Sequence, residues 1–504
     1  MRRIDAATLH GWIGDGGELA ILDAREEGEF GASHLFWAVP CPLSRAELRA
    51  PALLPHRATR VVCIDDGRGV AERLAAYLAG IGCTDIAVLD GGTPAWDAAG
   101  FVLFSGVNVP SKAFGEWVEH HYGTESVDPL DLQSWRDAGR DMVVLDSRTF
   151  EEFERMSIPG GVSVPGGELV YRVGDLAPDP ATLVVVNCAG RTRSILGAES
   201  LRQAGIPNQV VALRNGTMGW ELAGLTCARG RAERAPLGVP ASVALAAARA
   251  SAFAASCGVR VIDAPALAAM QADPSRTLYV LDVRDPAEFS ALHRPDSVNA
   301  PGGQLVQATD QWIAVRNARI AVIDDDGVRA GMTAGWLRQM GHTDVYVVEH
   351  ALPDRITAAE LATTAALVID LARSLTFREG HIPGAVWGIR TRLHQLRDRI
   401  AAAPLVVLTS PDGVLADLAV AEARAITPVR VATLAGGTAA WRAAGLGLAQ
   451  DRHVPPDDAC ADAYLRPYDR NTGIEAAMQA YLAWEIDLVR EIERDGTVRF
   501  GATG

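Results

Sequence analysis

One short pattern occurs three times along this 504-residue chain, with a weaker fourth copy, and this repetition limits the available folds more than any other feature. Each full copy is an apolar run that ends in Asp-x-Arg and is followed by Glu-Phe. The full copies are Leu22–Arg25 with Glu29–Phe30, Leu145–Arg148 with Glu152–Phe153, and Leu281–Arg284 with Glu288–Phe289. The fourth runs from Ile369 to Arg373 and continues into Phe377–Ala385. Such repetition predicts a series of similar small domains.

A second pattern, made of small residues, a threonine and a tryptophan, closes three of the four copies. It occurs as Gly91–Trp96, Asn215–Trp220 and Gly436–Trp441, whereas the third copy has Glu349–Leu352 instead. Glycine permits a tight turn into a helix. We therefore predict a structural role for this ending, with tryptophan in the core, and a structural ion pair or turn clamp for Asp-x-Arg. Three histidines at equivalent positions are also expected to be structural: His34, His293 and His381.

Within each copy, apolar runs of strand length alternate with segments of helix length. Val61–Ile64 and Ile86–Leu89, for example, flank the helix-length segment Gly69–Gly80. Strands that alternate with helices are typical of α/β folds with a mainly parallel sheet. We therefore predict that each copy forms such a sheet, flanked by helices.

The chemistry of the chain is concentrated in one segment between a predicted strand and a predicted helix. The apolar run Leu183–Val186 precedes this segment, and the helix-like Ser194–Leu201 follows it. A cysteine here faces backbone N–H groups and the positive end of the helix dipole, and two nearby arginines add full positive charge. These features predict an activated nucleophile. The segment consists of Cys188, Ala189, Gly190, Arg191, Thr192, Arg193 and Ser194.

The length of this loop distinguishes between two kinds of cysteine chemistry. Cysteine phosphatases place five residues between the cysteine and the arginine, whereas here Arg193 falls one position earlier. The tighter ring of N–H donors suits a single sulfur atom on Cys188 better than a phosphate. The segment resembles the active-site loop of the rhodaneses, the thiosulfate sulfurtransferases, in which Cys-x-x-Gly-x-Arg precedes Ser or Thr. This chain departs from that pattern because Gly190 stands one place early and Arg191 replaces the usual glycine.

The resemblance extends over most of the chain, because rhodanese-like domains share the Asp-x-Arg and Gly-His-Ile-Pro-Gly-Ala segments found here. It implies four tandem rhodanese-like domains and a C-terminal tail with an amphipathic helix. Their expected bounds are 1–104, 128–228, 259–352 and 353–448, followed by the tail 449–504. We expect a packed linker near 104–129 and a helix over the alanine-rich stretch Ala241–Ala255.

Alignment of the four copies predicts which of them are catalytic. Counting back from Gly82 and from Gly341 by the Cys188-to-Gly205 spacing places Asp65 and Asp324 at the nucleophile position. The fourth copy offers Ser410. A carboxylate cannot carry a transferable sulfur, and a serine hydroxyl is a poor thiophile. We therefore predict one catalytic domain and three degenerate ones.

The resemblance implies that a Cys188 persulfide carries sulfur from a small anionic donor to cyanide, to a thiol or to a sulfur-acceptor protein, without a metal or cofactor. The two loop arginines favour a dianion such as thiosulfate as donor, and Tyr171 and Arg172 are candidates for the mouth of the pocket. Two alternatives stay open. One is a 3-mercaptopyruvate sulfurtransferase, and the other is a sulfur-relay or scaffold protein without turnover of its own.

Composition excludes several other classes of function. A net charge of −15 disfavours nucleic acid and anionic membranes as partners. No apolar run is long enough to span a bilayer, the N-terminus lacks a signal-peptide pattern, and seven scattered cysteines indicate a reducing cytoplasm. The tail has apolar residues at helical spacing and is expected to dock on the repeats or on a second subunit as a homodimer. These are Ile474, Ala477, Met478, Tyr481, Leu482, Ile486, Val489 and Ile492.

Overall fold

The computed structural model describes residues 2–236, 240–294, 296–349 and 354–495. The chain divides into two compact units, Met1–Leu352 and Pro353–Gly504. Residues 350–353, which include the expected boundary between the third and fourth domains, lie outside the described residues. In the described part of the chain, no helix combines the length and the apolar character needed to cross a bilayer.

The first repeat forms a parallel sheet with the strand order β1-β5-β4-β2, in which β3 also pairs with β2. A further helix, α6, connects it to the second repeat. The elements are β1 (Arg2–Ile4), α1 (Ala6–Gly14), β2 (Leu19–Asp23), α2 (Glu27–Ala32), β3 (Ala38–Pro40), α3 (Ala46–Leu53), β4 (Arg60–Ile64), α4 (Val70–Gly80), β5 (Asp85–Leu89), α5 (Gly92–Ala98) and α6 (Val109–Tyr122).

The second repeat has the same design, with the strand order β6-β10-β9-β7-β8 and all pairs parallel. Helix α12 follows it and coincides with the alanine-rich stretch for which a helix was predicted. The elements are β6 (Ser126–Val127), α7 (Pro129–Asp137), β7 (Met142–Asp146), α8 (Phe150–Arg155), β8 (Val162–Ser163), α9 (Leu169–Leu176), β9 (Leu183–Asn187), α10 (Thr192–Gln203), β10 (Val210–Leu213), α11 (Gly216–Leu222) and α12 (Val243–Ser256).

The third repeat again has this order, β11-β16-β15-β12-β13. Its short strand β14 pairs antiparallel with β2, so the third repeat extends the sheet of the first. The elements are β11 (Arg260–Ile262), α13 (Ala264–Ala272), β12 (Leu278–Asp282), α14 (Pro286–Ala291), β13 (Val298–Asn299), α15 (Gly302–Gln307), β14 (Val315–Arg316), β15 (Arg319–Ile323), α16 (Val328–Gln339) and β16 (Asp344–Val348).

The second unit holds a fourth sheet of the same order, β17-β21-β20-β18-β19, and the tail. The long tail helix α23 occurs where an amphipathic helix was predicted, although its side chains at 486, 489 and 492 lie outside the described residues. The elements are β17 (Asp354–Ile356), α17 (Ala358–Leu361), β18 (Leu367–Asp370), α18 (Ser374–Glu379), β19 (Val386–Trp387), α19 (Arg397–Ala401), β20 (Val406–Thr409), α20 (Val414–Leu418), α21 (Val420–Ala425), β21 (Val431–Leu434), α22 (Gly437–Ala443) and α23 (Ile474–Asp495).

Hydrophobic cores join the repeats of the first unit. One buried cluster combines residues of the first and third repeats, such as Leu22, Leu74 and Leu281. Another combines the second repeat, α12 and the third repeat, and includes Phe253 and Trp336. Because these clusters cross the repeat boundaries, the three sheets of this unit share hydrophobic cores and do not form independent domains.

The Asp-x-Arg motifs are buried ion pairs, as the sequence predicts. Arg148 contacts Asp146 at 2.8 Å, and the equivalent pairs in the first and third repeats measure 2.6 and 2.7 Å. Each arginine also donates to a main-chain carbonyl eight residues later, which clamps the turn after the strand. In the fourth repeat, Ala372 occupies the arginine position, and burial raises the pKa of Asp370 to about 6.

The three recurring histidines have the structural role expected of them. Each ring lies over the phenylalanine four residues earlier and makes a hydrogen bond through Nδ1 to the carbonyl oxygen of that residue. The pairs are His34 with Phe30, His293 with Phe289 and His381 with Phe377.

Candidate active site

Cys188 lies where β9 ends and α10 is about to begin, at the carboxyl edge of a parallel sheet. Ligand sites in open α/β sheets lie at this edge. The side chain is buried, with 2% of its surface exposed. Its thiol lies 3.5 Å from Ser194 Oγ, and the Ser194 hydroxyl donates to the Arg191 carbonyl at 2.8 Å. The sulfur therefore faces the first turn of α10, as the sequence predicts.

The recurring glycine–threonine ending holds this loop in place. The Thr217 N–H donates to the Cys188 carbonyl at 2.9 Å, and the Met218 N–H donates to the Ala189 carbonyl at 3.0 Å. Gly216 has a φ of +55°, and a Cβ atom there would lie 2.2 Å from the Cys188 oxygen. Only glycine permits this approach, so the motif clamps the nucleophile loop onto the sheet.

The same clamp identifies the equivalent loops of the other repeats. The Thr93 N–H donates to the Asp65 carbonyl at 2.8 Å, and the Thr438 N–H donates to the Ser410 carbonyl at 2.9 Å. Asp65 and Ser410 therefore occupy the position of Cys188, which the sequence alignment predicted. The tryptophans that end the motif are buried, as expected: Trp96, Trp220 and Trp441.

At the nucleophile position of the first and third repeats, a carboxylate accepts the N–H groups of the loop. Asp65 accepts from Gly67 at 2.8 Å, from Val70 at 2.7 Å and from Ala71 at 3.1 Å. Asp324 likewise accepts N–H groups of its loop and of the following helix, at 2.8 and 2.9 Å. In these two repeats the loop N–H groups are thus bound by a carboxyl group of the chain itself, and burial raises the pKa of Asp324 to about 7. The equivalent position of the second repeat holds a thiol.

Arg191, three residues after the candidate nucleophile Cys188, is bound by two glutamates of α6. Its Nε and Nη2 each donate to Glu116 at 2.8 Å, and Nη2 also contacts Glu119. These hydrogen bonds hold the pKa of Glu116 below its ordinary value. Helix α6 lies close against the loop, because a Cβ on Gly115 would come within 2.8 Å of the Thr192 methyl group. The loop is therefore attached to the connection between the first two repeats.

Arg193, the other loop arginine, is paired with Glu152. The contacts are 2.6 Å from Nη1 and 2.8 Å from Nη2. The third repeat has the same pair, because Arg329 contacts Glu288 at 2.6 Å. Two arginines thus meet three carboxylates around Cys188, and the excess of positive charge expected from the loop sequence is neutralised in the folded protein.

A model of the rhodanese-like domain matches this sequence over residues 5–99, 128–223 and 263–354, which is more than half of the chain. The chain belongs to the rhodanese family. The fourth repeat is not among the matched ranges, yet its sheet has the strand order of the rhodanese-like repeats.

One solved structure of full-length similarity agrees with this rhodanese assignment, and two others are similar over part of the chain. The crystal structure of thiosulfate sulfurtransferase from Pseudomonas aeruginosa is 44% identical, covers 100% of both chains and has a TM-score of 0.68. A rhodanese-related protein from Thermoplasma volcanium is 22% identical over 21% of this chain and 98% of its own, with a TM-score of 0.19. The anaerobic ergothioneine biosynthesis enzyme from Chlorobium limicola is 13% identical over 69% of this chain and 95% of its own, with a TM-score of 0.24. Among curated proteins, none matches.

Tyr171 and Arg172, the candidates for the mouth of the pocket, lie on α9, and their place at the rhodanese loop stays a prediction. Arg172 is buried on α9, 3.2 Å from Glu168, and lines a cavity whose lining residues do not include 188–194. Tyr171 is buried beneath the guanidinium of Arg329, 4.3 Å from the ring centre. Both side chains belong to the packing between the second and third repeats, because α9 faces α16 there.

Sequence reasoning missed Glu116 and Glu119 of α6. They lie in the connection that was expected to be a packed linker, more than 70 residues before the arginine that they bind. The local sequence does not predict their contact with Arg191, since two acidic residues three positions apart are common on any exposed helix. Only the packing of α6 on this rhodanese loop brings them together with Arg191.

Proposed function

We propose that this protein is a thiosulfate sulfurtransferase that carries sulfur as a persulfide on Cys188. The chain is similar over its full length to a solved structure of a thiosulfate sulfurtransferase, with 44% sequence identity. The observation that carries the proposal is the difference between the equivalent loops. Cys188 places a thiol in the N–H cradle that Asp65 and Asp324 fill with carboxylates. We therefore assign turnover to the second repeat and a structural role to the other three.

In the first half-reaction, the Cys188 thiolate attacks the outer sulfur of thiosulfate. A new sulfur–sulfur bond forms on Cys188, the sulfur–sulfur bond of thiosulfate breaks, and its electron pair leaves with sulfite. We assign stabilisation of the bound sulfur to the loop N–H groups between Ala189 and Ser194, because the equivalent loops of the first and third repeats bind a carboxylate through their N–H groups. The loop is preorganised for this role by its clamp to Thr217.

In the second half-reaction, a thiophilic acceptor attacks the outer sulfur of the persulfide. With cyanide as acceptor, a carbon–sulfur bond forms, the persulfide bond breaks, thiocyanate leaves and the Cys188 thiolate is restored. A small thiol or a sulfur-acceptor protein would take the same sulfur by the same attack. The cycle is balanced without an external oxidant or reductant, so the proposed mechanism invokes no cofactor.

Donor binding is assigned to Arg191 as well as to the loop N–H groups. Its side chain is 39% exposed, so it can exchange a glutamate for an incoming anion. Arg193 is less available, because it is 15% exposed and held at two points by Glu152. Arg193 would orient the loop and offset the charge of departing sulfite.

The test is intact-protein mass after treatment with thiosulfate. We expect one added sulfur on the wild type and none on Cys188→Ser, together with loss of thiocyanate formation. Cys227→Ser is the matched control, because Cys227 is a buried cysteine of the same repeat outside the loop. Full turnover by Cys188→Ser would refute the proposed site.

A second donor, 3-mercaptopyruvate, is favoured by the ion pairs of the loop. Because Arg191 and Arg193 are both paired with glutamates, the folded loop lacks the excess positive charge that would select a dianion over a monoanion. Comparison of kcat/KM for the two donors decides between them. Faster turnover of mercaptopyruvate would replace thiosulfate as the proposed donor and leave the persulfide chemistry unchanged.

A further inference from the structure

A cavity of about 390 Å³ lies in the first unit, and its lining does not include residues of the Cys188 loop. It is formed where the first repeat, helix α6 and the third repeat meet. Its volume is within the range of small-molecule sites, and four large aromatic side chains contribute to the lining. These are Phe36, Trp37, Phe114 and Trp117.

One wall of this aromatic cavity carries a guanidinium that lacks an acidic partner. Arg316 lies with its guanidinium carbon 4.1 Å from the centre of the Trp37 ring, and its Nη1 is buried without a hydrogen-bond partner. Among the described residues, no carboxylate lies within ion-pair distance of Arg316. Burial lowers the pKa of Arg316, yet a guanidinium keeps its proton at neutral pH. An unpaired, partly desolvated cation of this kind lowers the stability of the folded protein unless an anion pairs with it.

The other titratable groups of the lining do not supply that anion. Asp310 is 8% exposed, and its Oδ1 has no hydrogen-bond partner among the described residues. Its charge is already opposed by two cations, Arg49 and Lys112, and burial raises its pKa to about 6. Burial lowers the pKa of His342 to about 4, so the imidazole is neutral near pH 7. Among the described residues of the lining, Arg316 is therefore the cation without an ion-pair partner, and the carboxylate of Asp15, beyond ion-pair distance, opposes only part of its charge.

We propose that this cavity is a binding site for a small aromatic carboxylate, whose ring packs among Trp37, Phe114 and Trp117 and whose carboxylate pairs with Arg316. A planar guanidinium binds a carboxylate through two parallel hydrogen bonds, and the aromatic walls give a flat apolar body its contact area.

The test is calorimetric titration of the full-length protein with 3-phenylpropionate. We expect saturable binding at one site, at least 10-fold tighter than binding of the uncharged 3-phenylpropanamide. Arg316→Gln should weaken 3-phenylpropionate binding at least 10-fold. Arg140→Gln is the matched control, because Arg140 also lies over a tryptophan, at 4.3 Å, but does not line the cavity. Its affinity for 3-phenylpropionate should equal that of the wild type.

A second variant keeps the test decisive if loss of Arg316 impairs folding. Ala113→Phe fills the cavity from the exposed side of α6 and leaves Arg316 in place, so it should abolish binding. Absence of binding to the wild type, equal binding of the amide, or undiminished binding to either variant would overturn the proposal. The readout is binding alone, so its result is independent of whether Cys188 transfers sulfur.

Discussion

Arg191 and Glu116 form a two-point ion pair, with both contacts at 2.8 Å, that joins the candidate nucleophile loop to the helix between the first two repeats. The pair is between partly exposed side chains, which is the class of ion pair with a modest net free energy. The pair determines how much positive charge the loop presents to a bound sulfur donor. Its effect on donor binding can be measured as a change in KM.

Glu116→Gln should improve the use of thiosulfate. Loss of one carboxylate releases the Arg191 guanidinium for the donor, and we expect KM for thiosulfate to fall about 2- to 5-fold with little change in kcat. Glu125→Gln, an exposed glutamate before β6 at the opposite edge of the sheet, should leave KM unchanged. In an Arg191→Gly background the effect of Glu116→Gln should disappear, because the two residues act as a pair. An unchanged KM in Glu116→Gln would contradict the assignment of Arg191 to the donor.

Gly216→Ala should slow sulfur transfer by moving the loop. The added Cβ would lie 2.2 Å from the Cys188 carbonyl oxygen, so the loop must shift. We expect kcat to fall about 100-fold, because small displacements of reacting groups are that costly. Gly205→Ala tests backbone strain alone, since Gly205 has a φ of +68° and open space around its Cα. Equal loss of activity in both variants would mean that strain, rather than the clamp, is responsible.

Asp65→Ala should destabilise the protein without stopping turnover. It removes the acceptor of three N–H groups, from Gly67, Val70 and Ala71, and we expect a loss of about 1–3 kcal/mol in the free energy of unfolding. The control is Asp66→Ala, whose carboxylate makes a partly exposed ion pair with Arg68. Urea denaturation measures the stability, and thiocyanate formation measures the turnover. Asp324→Ala and Ser410→Ala should likewise retain turnover within a few-fold, and a complete loss in any of the three would show that a degenerate repeat takes part in catalysis.

Asp370→Asn should stabilise the protein at pH 8 but not at pH 4. Burial raises the pKa of Asp370 to about 6, so between about pH 4 and 6 the folded state binds more protons than the unfolded state. The free energy of unfolding therefore falls as the pH rises through this window, and asparagine avoids a cost of about 1–3 kcal/mol above it.

The same substitution in the second repeat should have the opposite effect at pH 8. Asp146→Asn removes the partner of the buried Arg148 guanidinium, which lies 2.8 Å from the carboxylate. Thermal denaturation of the two full-length variants at both pH values provides the measurement. Destabilisation by Asp370→Asn at pH 8 would show that the carboxylate is stabilised by contacts that asparagine cannot replace.

Local pattern alone was enough to predict the repeats, the α/β class and the special position of Cys188. Strand periodicity, glycine-dependent turns and the Asp-x-Arg clamp all act over a few residues, so the sequence expresses them directly. The hydrogen bond from the Thr217 N–H to the Cys188 carbonyl shows why the recurring ending accompanies the loops of the first, second and fourth repeats. The partner of this ending could not be named from sequence.

Tertiary structure decided the electrostatics of the site and the place of Arg172. From the sequence alone, the loop arginines predict an excess of positive charge. In the folded protein, α6 and α8 bring three glutamates against them: Glu116, Glu119 and Glu152. Arg172 follows the Pro165–Gly167 segment and was a candidate for the mouth of the pocket. In the structure it lies on α9 and contacts Glu168. Charge balance depends on distances between residues that are far apart in sequence, because electrostatic interactions decay with separation in space. The sequence by itself determined which residue is the candidate nucleophile, and only the fold determined the charge that surrounds it.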